Sequence, residues 1–189
     1  LHVLENLFPD NSILSHDLIE GSFLRCAFSS DIRLYDEYPG SYLSQSMRTH
    51  RWVRGDWQLL PYLGKRFKSK TGRYIKNPIN NISRFKMIAN LLSGLFLPAV
   101  LFMLIFGLLF MPAYKYLWVA IMILSAAACF SLREMIFQVL FLPHKAVLFL
   151  DAIIRAIWRT NVSHLHMLEW VTSADGENNS RPGLFTYYS

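Results

Sequence analysis

Met87–Tyr114, MIANLLSGLFLPAVLFMLIFGLLFMPAY, is a run of 28 residues without a charged side chain, bounded by Lys86 and Lys115. Roughly 20 apolar residues suffice to cross the hydrocarbon core of a bilayer, so the run reads as a transmembrane helix and not as a helical hairpin in a soluble core. A second uncharged run, Tyr116 to Leu132, has 17 residues and sits at the lower limit for a span. It reads as the return helix of a hairpin, either extending past Arg133 or beginning within Pro112–Lys115. Hydrophobic residues make up 53% of the 189-residue chain.

Working outward, charge is laid out unevenly. Leu1 to Glu37 carries seven acids against Arg25 and Arg33, whereas Arg48 to Lys86 carries eleven Lys and Arg against one acid, Asp56. The net charge of +6 comes from that basic block, which calls for an anionic partner, either phosphate or the negative cytoplasmic leaflet. Because the block precedes the first span and only Lys115 lies in the hairpin loop, the positive-inside bias puts the N-terminal part in the cytoplasm. Cys26 and Cys129 lie in unlike contexts and suggest no disulfide framework. The chain opens at Leu1 with no basic n-region and apolar run behind it, and it reads as a piece of a longer protein.

Beyond Arg133 the pattern changes. Pro143 interrupts the apolar run, and on a helix from His144 to Arg159 the residues His144, Lys145, Asp151, Arg155 and Arg159 share one side. Val147, Leu150, Ile153, Ile154 and Ile157 share the other, as a helix lying in the membrane interface requires. A third, polar-lined transmembrane helix is the alternative. From Ser173 the composition turns to Asp, Glu, Asn, Ser, Pro and Gly, which reads as a linker or polar tail.

Two motifs in the first third carry chemistry. In Ser15-His16-Asp17-Leu18-Ile19-Glu20-Gly21, Ser15 or Asp17 could cap a helix beginning near Leu18, with Glu20 turned back to the cap. The same Asp17 carboxylate could instead deprotonate an acceptor hydroxyl beside a bound nucleotide sugar. Arg48-Thr49-His50-Arg51-Trp52-Val53-Arg54-Gly55-Asp56-Trp57-Gln58 is more specific. Arg48 and Arg51 stand three apart, arginine forks suit bidentate phosphate binding, and a tryptophan face suits stacking on a sugar ring. A basic amphipathic helix resting on lipid headgroups answers to the same pattern. His164 and His166, two apart, point to different faces of a helix and lack further ligands, so no metal site is read there.

Together with Ser30-Asp31-Ile32, Glu37-Tyr38-Pro39, Tyr42-Leu43 and Leu168-Glu169-Trp170-Val171-Thr172, these motifs resemble the cyclic β-1,2-glucan synthases. Those are large bacterial inner-membrane proteins whose glycosyltransferase part is similar to the processive family that includes cellulose synthase. The resemblance runs from about Leu1 to about Glu177. It implies that Asp17 is the general base, and that Arg51 and Arg48 contact the diphosphate while Trp52 is the acceptor platform. In the wider family's Gln-x-x-Arg-Trp motif the first position is glutamine; here it is Arg48. The resemblance further implies UDP-glucose as donor, a glucan acceptor, membrane lipids and no nucleic acid as partners, and a multi-pass protein with its catalytic part in the cytoplasm. It also implies a divalent metal, Mg or Mn, whose Asp-x-Asp ligands lie upstream, since no Asp-x-Asp occurs in this chain.

The expected fold is mixed but mainly α. Residues 1–64 are the C-terminal part of a GT-A-like α/β glycosyltransferase domain, 65–86 a basic connector and 87–135 a transmembrane helical hairpin. Residues 136–172 are an interfacial or third membrane helix, and 173–189 a polar tail. The reaction expected is inverting transfer of glucose from UDP-glucose to a growing β-1,2-glucan. Another processive polysaccharide synthase and a non-catalytic membrane anchor are the alternatives, though an anchor has no need of the Asp17 and Trp52 motifs. A transporter would place ionisable groups within its spans, and Met87–Tyr114 has none.

Overall fold

The computed structural model describes residues 7–9, 12–14, 17–24, 29–35, 39–129 and 132–169. Ser15, His16, Glu37, Tyr38, Trp170, Val171, Thr172 and the tail expected over 173–189 lie outside them. The chain is mainly helical: α1 (Asp17–Phe23), α2 (Tyr42–Gln58), a 3-10 turn (Leu60–Leu63), β1 (Arg66–Lys68), β2 (Tyr74–Lys76), α3 (Asn81–Phe110), a second 3-10 turn (Pro112–Tyr114), α4 (Lys115–Cys129), α5 (Leu132–Trp158) and a π-helical turn (Arg159–Ser163). It divides into two units, Leu1–Leu91 with Ala152–Ser189, and Leu92–Asp151.

The first unit is built round a small apolar core of Ile13, Ile19, Leu59, Tyr62, Phe67, Ile79 and Met87, against which Phe8, Leu18, Phe23 and Ile75 pack. Its centre is aromatic. Tyr62 and Phe67 meet edge to face at 5.2 Å, as do Phe8 and Tyr62 at 5.3 Å and Phe8 and Phe23 at 5.2 Å. Such pairs add about 0.5–1.5 kcal/mol each beyond the area they bury. The core therefore draws α1, the end of α2, the first 3-10 turn and the start of α3 into one body.

The basic stretch 65–86, expected as a connector, folds into an antiparallel hairpin and then the first turns of α3. Arg66 pairs with Lys76, Phe67 with Ile75 and Lys68 with Tyr74. Phe67 is buried while Arg66, Lys68, Tyr74 and Lys76 are exposed. The period-2 alternation is there in the sequence, but three residues per strand give it little to stand on. The turn closes at Gly72, whose φ of +79° suits a residue without Cβ. Asn77, buried at the foot of the hairpin, donates from its side chain to the carbonyls of Tyr62 and Gly64 (2.9 Å to the latter) and accepts from the Ile79 amide at 3.1 Å.

In the second unit Trp118 of α4 packs on Gly107 of α3. A Cβ at 107 would lie 3.1 Å from the indole, so glycine is what admits the ring. Trp118 Nε1 donates to Met111 Sδ at 3.2 Å, and Phe106 stacks on Phe110 at 4.9 Å one turn along. Phe102, Leu108, Leu109 and Phe110 are exposed.

The long apolar helices are α3, Asn81–Phe110, and α5 with its π turn, Ile136–Ser163; both are long and apolar enough to cross a membrane. Only 22% of the most apolar window of each is buried, unlike the core helix of a soluble domain. This favours membrane association. α4 is described over Lys115–Cys129, 15 residues. α5 continues through Pro143, which the sequence reading took as an interruption. A proline within a helix forfeits the one bond its N–H would make to residue 139 and leaves the rest of the ladder.

Candidate functional site

α2 begins where Ser41 accepts from the Ser44 amide at 3.1 Å, a serine N-cap, and runs to Gln58. Along it the Arg48–Gln58 motif separates into two sets. Val53, Arg54, Gly55 and Gln58 are buried, whereas Arg48, Arg51 and Trp52 are not. The Arg48 guanidinium lies over the Trp52 ring, 4.6 Å from its centroid, as positions i and i+4 of a helix allow. One indole face is therefore taken by a cation, and Trp52 keeps 44% of its surface exposed. Arg51, next to Trp52, is half-buried.

Asp17 is the first residue of α1 and is exposed. The helix starts one position earlier than the sequence suggests, so Asp17 lies in its first turn with Glu20, where carboxylates complement the helix dipole. Among the described residues Asp17 forms no hydrogen bond or ion pair with Arg48, Arg51 or Trp52. The structure ties its segment to α2 three residues earlier, where the Leu14 amide donates to Gln58 Oε1 at 2.8 Å. Arg48 and Trp52 are thus brought into contact, while Asp17 is held to the same helix through its backbone.

Gln58, Arg54 and Asp56 were not singled out from the sequence. Gln58, 2% exposed, uses both ends of its amide, accepting from Leu14 and donating from Nε2 to the Met167 carbonyl at 3.0 Å. Arg54, 5% exposed, donates from Nη2 to the Glu169 carbonyl. Their i, i+4 spacing is the signal that was available: two polar residues on the buried side of a helix must be bonded. Asp56 accepts from Asn90 Nδ2 at 3.1 Å, and burial raises its carboxyl above the ordinary aspartate value, the Asn90 bond opposing this in part.

The loop that receives these bonds is also held from α5's end. Arg159 donates to the His166 carbonyl at 2.6 Å and pairs with Glu169 Oε2 at 2.9 Å. Its guanidinium, expected to face the lipid leaflet, is thus engaged within the protein. His164 and His166 both have positive φ, 52° and 54°, and serve as turn residues. Among the described residues no group of three or more His, Cys, Asp or Glu is placed to hold a metal ion.

The half-buried Arg48 and Arg51 and the exposed Trp52 offer two cations and an aromatic plane to a ligand, which suits an anionic sugar compound. Comparison with known proteins bears on which. Cyclic beta-(1,2)-glucan synthase NdvB of Rhizobium meliloti is 32% identical over 216 aligned positions, covering 98% of this chain. The match amounts to 7% of that protein's length. No family model and no solved structure matches the chain. An alignment this extensive goes well beyond the short motifs that first suggested it: nearly the whole chain matches one short segment of a cyclic β-(1,2)-glucan synthase.

Proposed function

We propose that this chain forms the acceptor side of an inverting, membrane-bound glucosyltransferase that moves glucose from UDP-glucose to the 2-hydroxyl of a growing β-1,2-glucan. The observation that carries the reading is the Arg48–Trp52 pair beside Arg51 on the outward side of α2, within a chain related to a glucan synthase. A guanidinium over one indole face sets a positive charge beside the aromatic plane, which suits a charged sugar compound, and leaves the second indole face for a sugar ring.

In this mechanism the Asp17 carboxylate accepts the proton of the acceptor 2-hydroxyl as its oxygen attacks the anomeric carbon. UDP departs from the opposite face, inverting the centre. Arg51 and Arg48 offset the charge growing on the diphosphate, and Trp52 holds the acceptor ring. The divalent metal that such a donor calls for finds no ligand cluster among the described residues, so no step runs through it here. The exposed cations of the hairpin, Arg66, Lys68 and Lys76, suit contact with an anionic leaflet, at about 1 kcal/mol for each near the surface. The protein would work at the bacterial inner membrane with this unit in the cytoplasm.

The test is Arg51→Ala in the whole synthase, assayed for glucose transfer in isolated membranes. A loss of one charge-assisted contact, about 1.5–3 kcal/mol, lowers kcat/KM for UDP-glucose by roughly 10- to 100-fold. Unchanged donor kinetics would overturn the role.

A further inference from the structure

Between Lys65 and Lys86 the chain has eight Lys and Arg and no acid, and the β1–β2 hairpin turns several of these cations outward. The Asn77 amide donates to the Lys65 carbonyl at 2.9 Å and the Ser69 amide to the Arg73 carbonyl at 2.8 Å, which makes 65/77 and 69/73 hydrogen-bonded positions of the ladder. Arg66 opposite Lys76 and Lys68 opposite Tyr74 then fall at the non-bonded positions, where facing side chains come closest. Two cations directly opposite one another destabilise a strand pair, and among the described residues no carboxylate pairs with Arg66, Lys68 or Lys76. An anion seated on the pair would turn that repulsion into attraction.

The core sets the height of this surface. Phe67, on the inward side of the hairpin, belongs to the same buried cluster as Ile79 and Met87, and Met87 opens the uncharged run of α3. The hairpin is therefore held at the level where α3 would enter a bilayer. Tyr74, Ile82 and Phe85 are exposed there. Ile82 and Phe85 precede Met87 by five and two residues, about 7.5 and 3 Å along the helix axis, which puts them at the outer edge of and inside a headgroup layer roughly 5–7 Å deep. A soluble phosphate compound would meet the cations and leave these apolar groups in water, whereas a phospholipid surface answers to both. We propose that the outward face of the hairpin is a docking surface for anionic phospholipid headgroups, with the Arg66–Lys76 pair receiving a lipid phosphate and Tyr74 lying among the headgroups. The proposal names the residues and the partner of the leaflet contact described above, and it rests on the reading of α3 as a span.

The test uses the whole chain in nanodiscs, with Cys26 and Cys129 replaced by serine and a fluorophore on Thr71→Cys, at the exposed turn of the hairpin. Lipids carrying a nitroxide on the headgroup quench the fluorophore when the hairpin lies on the leaflet. Quenching is stronger in discs containing phosphatidylglycerol than in phosphatidylcholine discs, and it falls as salt is added. Arg66→Gln and Lys76→Gln each lower the ratio of docked to undocked hairpin in phosphatidylglycerol roughly fivefold. Arg66→Lys retains it, and so does Lys115→Gln, which removes one charge from the opposite loop. The thermal midpoints of both hairpin variants in phosphatidylcholine discs stay at or above that of the parent, because glutamine relieves a like-charge pair; this separates lost docking from lost folding. Equal quenching in the two lipids overturns the surface, as does an equal loss in Lys115→Gln. Displacement of the hairpin by inorganic pyrophosphate, at an ionic strength where chloride leaves it docked, assigns the cations to a soluble phosphate compound and also overturns it. Chain held in the discs with a hairpin indifferent to lipid charge leaves the span standing without the surface; chain that elutes free of the discs overturns both.

Discussion

Arg54 and Glu169 are 115 residues apart in sequence, and the buried guanidinium of the first donates to the backbone carbonyl of the second. With Gln58 on Met167 and Arg159 on the Glu169 carboxylate, α2 and the end of α5 grip one short loop between them. Removing the charged donor leaves a carbonyl unpaired and a hole where the side chain lay. Arg54→Met is expected to lower stability by about 1.5–3 kcal/mol, seen as an earlier thermal midpoint in detergent. Loss of stability no larger than that of an exposed control such as Lys68→Met would show that the bond contributes little.

Asp56 gives the first unit a pH dependence of definite sign. Its folded-state pKa is raised by burial, so the folded protein holds this proton more tightly than the unfolded chain. Stability from this group is whole below the unfolded value of about 3.9 and is lost as pH rises through the folded value. Asp56→Asn keeps an oxygen for Asn90 and carries no charge. It should unfold at a higher temperature than the wild type at pH 7, with the gap closing towards pH 4. A gap that widened on acidification would reverse the sign and exclude burial as the cause.

For Asp17 the sharper comparison is with its neighbour. Asp17→Asn preserves size and helix-start compatibility while removing basicity, so a purely structural role predicts little change. Service as general base predicts a fall of roughly 10²–10⁴-fold in glucose transfer by the whole synthase, with protein level and UDP binding intact. Near-normal turnover in Asp17→Asn together with loss in Glu20→Gln would move the base to Glu20.

The membrane assignment is tested on the chain itself. With α3 exposing Phe102, Leu108, Leu109 and Phe110, the expressed chain should stay in the membrane pellet through a carbonate wash. After replacement of Cys26 and Cys129, a cysteine near Tyr114 should react with an impermeant thiol reagent from outside, and one near Lys70 should not. Recovery as a soluble monomer without detergent would remove the spanning assignment.

Much of the helical content was legible because it rests on long-range composition. The run Met87–Tyr114 has no charge to interrupt it, and α3 follows it closely. The hairpin at 66–76 was not, since its strands are three residues long and their inward members, the buried Phe67 and the half-buried Ile75, are two isolated apolar positions in a basic field. α5 was misjudged at its start because a proline's local cost is visible in sequence, whereas the packing that outweighs it is not. In the candidate site, Arg48, Arg51 and Trp52 are expected from residue type, and the structure adds that one guanidinium lies on the indole. Arg54 and Gln58 escaped because their partners are backbone carbonyls and an amide, which no motif records.

The Asn77 side chain, bonded to the Tyr62 and Gly64 carbonyls and the Ile79 amide, sits between the hairpin and the first turn of α3. A single amide has there taken up the slack that a flexible linker would leave. It sits like a collar just ahead of the shaft of α3, and its loss would release the Tyr62 and Gly64 carbonyls and the Ile79 amide together. Any play in this unit has to be found elsewhere along the chain.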